Sequence, residues 1–255
     1  MVYRDTLMVF LNKYFEPLAQ KAKKDPYCVN GLQLDGKDEI RKIALGVSAN
    51  LDFFKKAVKK DADCLIVHHS LSLQSLNQRI DPLLRERLKF ILDKNLTLIG
   101  YHFLLDHHPE IGHNALVLKK LGAEIKEPFH DEWGWVGELP ENTPTVKVIK
   151  DCEKIYDHKA YSILKGPKKI KRLGILSGAG APHSGEMVEI IDKKIELLVT
   201  GEIKESTPSL FDESKINFAS FGHYATEKLG LKALGDLIKT QFYVDIEFID
   251  IPNEL

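Results

Sequence analysis

Residues 64–70 read Cys-Leu-Ile-Val-His-His-Ser, a run of four apolar side chains halted at two adjacent histidines. An unbroken apolar run bounded by polar residues is the pattern of a strand buried on both faces, as in a parallel sheet covered by helices. Working outward, residues 43–47 (Ile-Ala-Leu-Gly-Val) and 97–102 (Thr-Leu-Ile-Gly-Tyr-His) repeat the pattern on either side. Helix-period segments separate them: 51–60, with Phe54 and Val58 four apart, and 82–95. An opening helix over 6–24 places Leu7, Phe10, Leu11 and Phe15 on one face. Strands alternating with helices predict an α/β fold.

Residues 28–34 pass through a turn-prone Asn30-Gly31. A helix follows Gly112-His113-Asn114-Ala115 and ends near Leu121, with Gly122 suited to the left-handed position after it. Residues 127–145 hold both tryptophans and three prolines and mark a boundary. Beyond it come a strand (171–176), a glycine-containing loop (177–181), a helix (186–193) and a strand (196–200). The tail reads strand (216–221), turn at Gly222-His223, helix (226–240) and strand (242–248). The expectation is two similar α/β lobes around a cleft. The first takes residues 1–125 plus 215–255, the second 126–214.

The chain has 255 residues, 44% hydrophobic and 29% charged, the balance of a folded globular protein. Lys and Arg total 36 against 37 Asp and Glu, a net charge of −1. Overall charge therefore gives no support to a non-specific nucleic-acid binder. A local basic run at Lys165, Lys168, Lys169, Lys171 and Arg172 either touches phosphates or is a solvated loop. Cys28, Cys64 and Cys152 have no ligand-type spacing, so neither a disulfide framework nor a zinc ribbon is expected, and a reduced, cytoplasmic setting is. No signal peptide and no membrane span are read in the sequence.

Ten histidines are present, six of them between His68 and His113. Open α/β sheets bind ligands beyond the carboxyl ends of their strands. Three such ends carry metal-competent side chains: His68-His69; His102 with Asp106, His107 and His108; and His223 with Glu227, four residues on. Each has a plainer reading, as a satisfied core histidine, a helix cap or an exposed pair. Imidazole with carboxylate suits Zn, Mn, Fe or Ni rather than Mg or Ca. Asp106-His107-His108 also spells the triplet of the DHH phosphoesterases, with Asp61-Ala62-Asp63 a faint echo of their earlier motif. That family places the aspartate pair after a strand, whereas here it precedes one. The loop Ser177-Gly178-Ala179-Gly180-Ala181 has the look of a phosphate nest but lacks a P-loop lysine. His183 is assigned nothing, and Cys64 is read as buried structure.

The ordered set Asn30-Gly31-Leu32-Gln33, Val67-His68-His69, residues 101–106, Gly112-His113-Asn114-Ala115, Thr200-Gly201-Glu202 and residues 222–227 resembles the GTP cyclohydrolase type 2 homologues. This family is also called NGG-interacting-factor-three-like, and the resemblance spans essentially the whole chain in its short form. One departure is Ser70, where the family typically has Gly or Pro. The resemblance implies a dinuclear site in the cleft, with His68, His69, Asp106, His223 and Glu227 as ligands of two divalent metal ions. It places His102 nearby, as an outer residue or a catalytic proton shuttle. It also implies a toroidal homohexamer, a trimer of dimers. Two functions follow: a metal-dependent hydrolase of a nucleotide-like small molecule, or a metal-containing interaction protein that binds nucleic acid or protein partners.

Overall fold

The computed structural model describes residues 1–71 and 79–253. The chain is α/β and divides into two compact units. Unit 1 comprises Met1–Leu105 and Leu231–Pro252, and Asp106–Gly230 forms the body of unit 2.

Unit 1 is built on a five-stranded sheet in the order Asp245–Phe248, Lys42–Ser48, Cys64–His69, Thr97–Gly100, Gly31–Leu34. The first four strands run parallel, and Gly31–Leu34 pairs antiparallel at the edge. Cys64–His69 lies at the centre, and its residues 64–67 are fully buried, as the apolar run predicts. Helix Leu51–Lys59 starts where the Asn50 side chain accepts the Phe53 N–H. It buries Phe53, Phe54 and Ala57 on the sheet. The Phe53 ring lies so close to Gly46 that a Cβ there would sit 2.3 Å from it. Helix Pro82–Asp93 begins in the same way, with Pro82 in its first turn and Asp81 Oδ1 accepting the Leu84 N–H at 2.8 Å. Burial of these aliphatic and aromatic side chains supplies the main driving force, about 25 cal/mol per Å2 of apolar surface.

Unit 2 carries a mixed six-stranded sheet ordered Glu124–Phe129, Gly134–Pro144, Lys169–Leu176, Leu197–Thr200, Asn217–Ser220, Tyr161–Ile163. Lys169–Leu176, Leu197–Thr200 and Asn217–Ser220 are parallel, and the outer pairings are antiparallel. Residues 127–145 fall mostly within the antiparallel hairpin of the first two strands, whose turn uses His130, Asp131 and Glu132 at φ of 54°, 51° and 70°. Helices Thr145–Tyr156 and Thr207–Ser214 pack on this sheet through Val148, Ile149, Cys152 and Phe211.

In each unit polar residues gather at the carboxyl edge of parallel strands. Ser48 and His69 end two strands of unit 1 and His102 lies two residues past a third, and Ser177, Glu202 and His223 follow strands of unit 2. No helix among the described residues is long and apolar enough to cross a membrane.

Candidate metal centre

In unit 1 the sheet brings His68, His69 and His102 together. Their ring centroids are 4.8 Å (68–69), 4.7 Å (68–102) and 5.5 Å (69–102) apart. One nitrogen from each ring lies within 4.8 Å of the others, a spacing that can hold a metal ion. Strand pairing continues to His69, opposite Ser48, and the Ser48 hydroxyl meets His69 Nδ1 at 3.1 Å. His68, fully buried, turns its Nδ1 to the Tyr101 carbonyl at 2.9 Å. The two imidazoles are thus braced by the neighbouring strands on opposite sides. Ser70 fits where it does because Gly100 leaves room, a Cβ there falling 2.7 Å from the Ser70 Cβ.

His102 is held by a loop whose role the sequence did not disclose. Its Nδ1 lies 2.9 Å from Asp25 Oδ2, and its backbone N–H donates to Asn30 Oδ1 at 2.9 Å. Asn30 Nδ2 donates in turn to Asp25 Oδ2 at 2.9 Å. The backbone that follows needs a glycine, since Gly31 sits at φ 127°. Burial pushes the Asp25 carboxyl up, but hydrogen bonds from His102, Tyr27 and Asn30 outweigh it and hold the pKa at about 2.

In unit 2 Asp106 is 4% exposed, and its Oδ1 accepts the Ser177 hydroxyl at 2.7 Å. Asn114 ties the surroundings together. Its amide donates to the carbonyls of Asp106 (3.2 Å) and Trp133 (2.8 Å), and its oxygen accepts the Ser177 N–H at 2.8 Å. His223 bridges two carboxylates, with Nδ1 2.6 Å from Glu202 Oε1 and Nε2 3.2 Å from Glu227 Oε1. Burial pulls the His223 imidazole down, yet Glu227 and Glu202 together hold its pKa up at about 9. Gly178, at φ 63°, backs onto this pair, and a Cβ there would lie 2.2 Å from Glu227 Oε1 and 3.1 Å from His223 Nε2.

The competing motifs find other employment. Asp63 clips unit 1 together, accepting Lys37 Nζ at 2.6 Å and the N–H groups of Arg41 and Lys42. The N–H groups of Ser177 and Gly178 go to Asn114 Oδ1 and Thr226 Oγ1, so this loop does not point them at a phosphate. His107 stacks on Trp135 at 4.9 Å and meets the Glu132 carbonyl through Nδ1. His108 accepts the Glu110 N–H, and His113 accepts the Gly230 N–H at 3.0 Å. Of the basic run, Lys165, Lys171 and Arg172 are ion-paired with Asp212, Glu138 and Glu127. Cys64 is buried, and burial drives its thiol pKa upward, away from reactivity.

An α/β chain whose parallel strands lead into braced imidazoles and carboxylates has donor groups that could hold a metal ion. The particular family follows from comparison: residues 6–254 match the model of Duf34/NIF3 (NGG1p interacting factor 3), and the chain belongs to that family. It is 36% identical over 257 residues to a Pyrococcus horikoshii protein named GTP cyclohydrolase 1 type 2 homolog, covering 99% of each chain. The Haemophilus influenzae protein of the same name is 35% identical over 237 residues, 91% of this chain and 92% of that one. Among solved structures, a Thermus thermophilus protein superposes with a TM-score of 0.88 at 30% identity, covering 100% of both chains. The HcgD protein of Methanocaldococcus jannaschii shares the fold, at TM-score 0.79 and 21% identity over 94% of this chain and 97% of that one.

Proposed function

We propose that this protein is a dinuclear metal-dependent hydrolase acting on a nucleotide-like substrate, in line with the cyclohydrolase name its relatives carry. The residues that would hold two divalent cations are His68 and His69 of unit 1 and Asp106, His223 and Glu227 of unit 2. Three imidazoles and two carboxylates suit Zn, Mn, Fe or Ni. The observation that carries the reading is the bracing of each ligand candidate within its own unit. Tyr101 O, Ser48 Oγ, Ser177 Oγ and Glu202 hold His68, His69, Asp106 and His223, and Gly178 leaves the space that Glu227 fills. Metal ligands are oriented by such outer partners.

Cations held there supply Lewis-acid polarisation of the substrate and acidify water at neutral pH. The remaining work falls to the chain. Ser177 keeps one oxygen of Asp106 hydrogen-bonded and so fixes the carboxylate's orientation. Glu202 anchors His223 at Nδ1, so that Nε2, on the Glu227 side, is the nitrogen that would ligate a cation. His102, beside His68 and His69, moves the proton between water and the leaving group. Three charges of the basic run are ion-paired within the chain, which weakens the support it lends to the interaction-protein alternative. The family resemblance extends the reading to a homohexamer.

Elemental analysis of purified protein tests the metal centre: close to two divalent ions per chain are expected, falling in Asp106→Ala. Incubation with GTP and with modified nucleotides, Mn or Zn supplied, tests the hydrolase. Turnover no greater than that of Asp106→Ala overturns it. Light scattering gives the mass of the assembly.

A further inference from the structure

We propose that Asp25 is the positioning residue of His102. It holds the neutral imidazole as the Nδ1–H tautomer, so that Nε2 is the proton-accepting nitrogen at the three-histidine corner. The proton-transfer role of His102 rests on the hydrolase reading above, but its tautomer does not.

The assignment follows from counting donors around one carboxylate. Oδ1 accepts the N–H groups of Tyr27 at 2.8 Å and Cys28 at 3.1 Å. Oδ2 accepts Asn30 Nδ2 at 2.9 Å and the Phe103 N–H at 3.3 Å. A carboxylate offers about four lone-pair sites and, when ionised, no proton. With its other partners all donating, Asp25 can only accept from His102 Nδ1, 2.9 Å away. The Asp25 side chain is 0% exposed, so water cannot substitute in this bond. Asn30 fixes the other half of the geometry by accepting the backbone N–H of His102 and of Leu104. The ring is therefore held by its backbone through Asn30 and by its Nδ1 through Asp25. A buried carboxylate behind an imidazole that faces a reaction site sets both tautomer and orientation without touching the substrate.

Asp25→Ala gives a directed test. It removes the acceptor opposite His102 Nδ1, so the neutral ring is no longer held as the Nδ1–H form and returns to the Nε2–H tautomer that an unconstrained histidine prefers. The readout is long-range 1H–15N correlation NMR of the full metal-free chain labelled in histidine, with His102 assigned by its loss in His102→Gln. Expected is an Nδ1–H signal for His102 in the wild type and an Nε2–H signal in Asp25→Ala. Turnover of the substrate found above should fall at least about 100-fold in kcat with KM unchanged. Asp25→Glu, which keeps the carboxylate, should retain the wild-type tautomer. An Nε2–H wild type overturns the proposal whether or not any variant folds. So does an Asp25→Ala protein with a switched tautomer and undiminished kcat, or with an unchanged tautomer. Absence of metal or of turnover in the wild type defeats the hydrolase reading and leaves the tautomer assignment standing.

Discussion

The Ser177 hydroxyl donates to Asp106 Oδ1 across 2.7 Å, joining the end of a parallel strand to a carboxylate 71 residues earlier in the chain. The contact is buried at both ends, with Ser177 8% and Asp106 4% exposed. A hydroxyl in that place fixes the orientation of the Asp106 carboxylate. Ser177→Ala should lower divalent-metal affinity about 10-fold while the fold survives, since outer partners of metal ligands carry effects of this size. Competition against a chelator measures it, and unchanged affinity would remove Ser177 from the site.

Gly178 is held open by its neighbours rather than by turn propensity alone. Gly178→Ala drives a methyl to 2.2 Å from Glu227 Oε1 at a φ of 63°. The Glu227–His223 pair must shift, so metal affinity should fall at least about 10-fold, and stability by about 1–3 kcal/mol from the combined overlap and strain. Thermal unfolding with and without added Zn separates the two effects. A variant that binds metal as tightly as the wild type would show that Glu227 and His223 do not serve as ligands.

Asn114 is the polar hub of unit 2, donating to two carbonyls and accepting one N–H. Asn114→Asp presents an acceptor to the Asp106 and Trp133 carbonyls and should destabilise the protein by about 3 kcal/mol through unmet hydrogen bonds and burial of charge. Chemical denaturation at neutral pH checks this. A loss below about 1 kcal/mol would mean that the hub is dispensable.

Much of this arrangement was legible before any coordinates. The apolar run 64–67, bounded by helix-period segments, reads as a buried strand, and two imidazoles at its end, costly to bury unpartnered, point to a candidate site. The edge strand Gly31–Leu34 was hidden because Asn30-Gly31 reads as a turn, whereas Gly31 uses its φ of 127° to enter the sheet from the Asn30 clamp. The hairpin over 124–144 was hidden because its left-handed turn residues are His130, Asp131 and Glu132, with no glycine to announce them. The bonds that Asp25, Ser48, Asn114 and Ser177 make to candidate site residues were illegible for a different reason. Each is a relation created by the fold and carried by no local spacing.

His223 should make metal binding depend on pH. Glu202 and Glu227 hold its pKa at about 9, so at neutral pH a cation must displace a proton from the ring. Apparent affinity should rise with pH, by up to about tenfold per unit for one displaced proton, and level off above about 9. Titrations between pH 7 and 10 decide it; a flat profile from 7 to 9 would exclude His223 as a ligand.

His108 should limit stability in mild acid. Its Nδ1 accepts the N–H groups of Glu110 (3.1 Å) and Ile111 (3.4 Å), which only a ring unprotonated at that nitrogen can do. Burial accordingly lowers its pKa from 6.5 to about 4, against a smaller opposing pull from Glu110. A histidine lowered on folding binds its proton more readily when unfolded. Its contribution is therefore complete above pH 6.5 and is lost as the pH falls from 6.5 toward 4, where it levels off. The shift corresponds to about 2 kcal/mol after allowance for solvent near the ring. His108→Gln keeps an acceptor without the titration, so its unfolding free energy should fall less than that of the wild type between pH 7 and 4.5. Equal pH slopes for the two proteins would show that the acid sensitivity arises elsewhere.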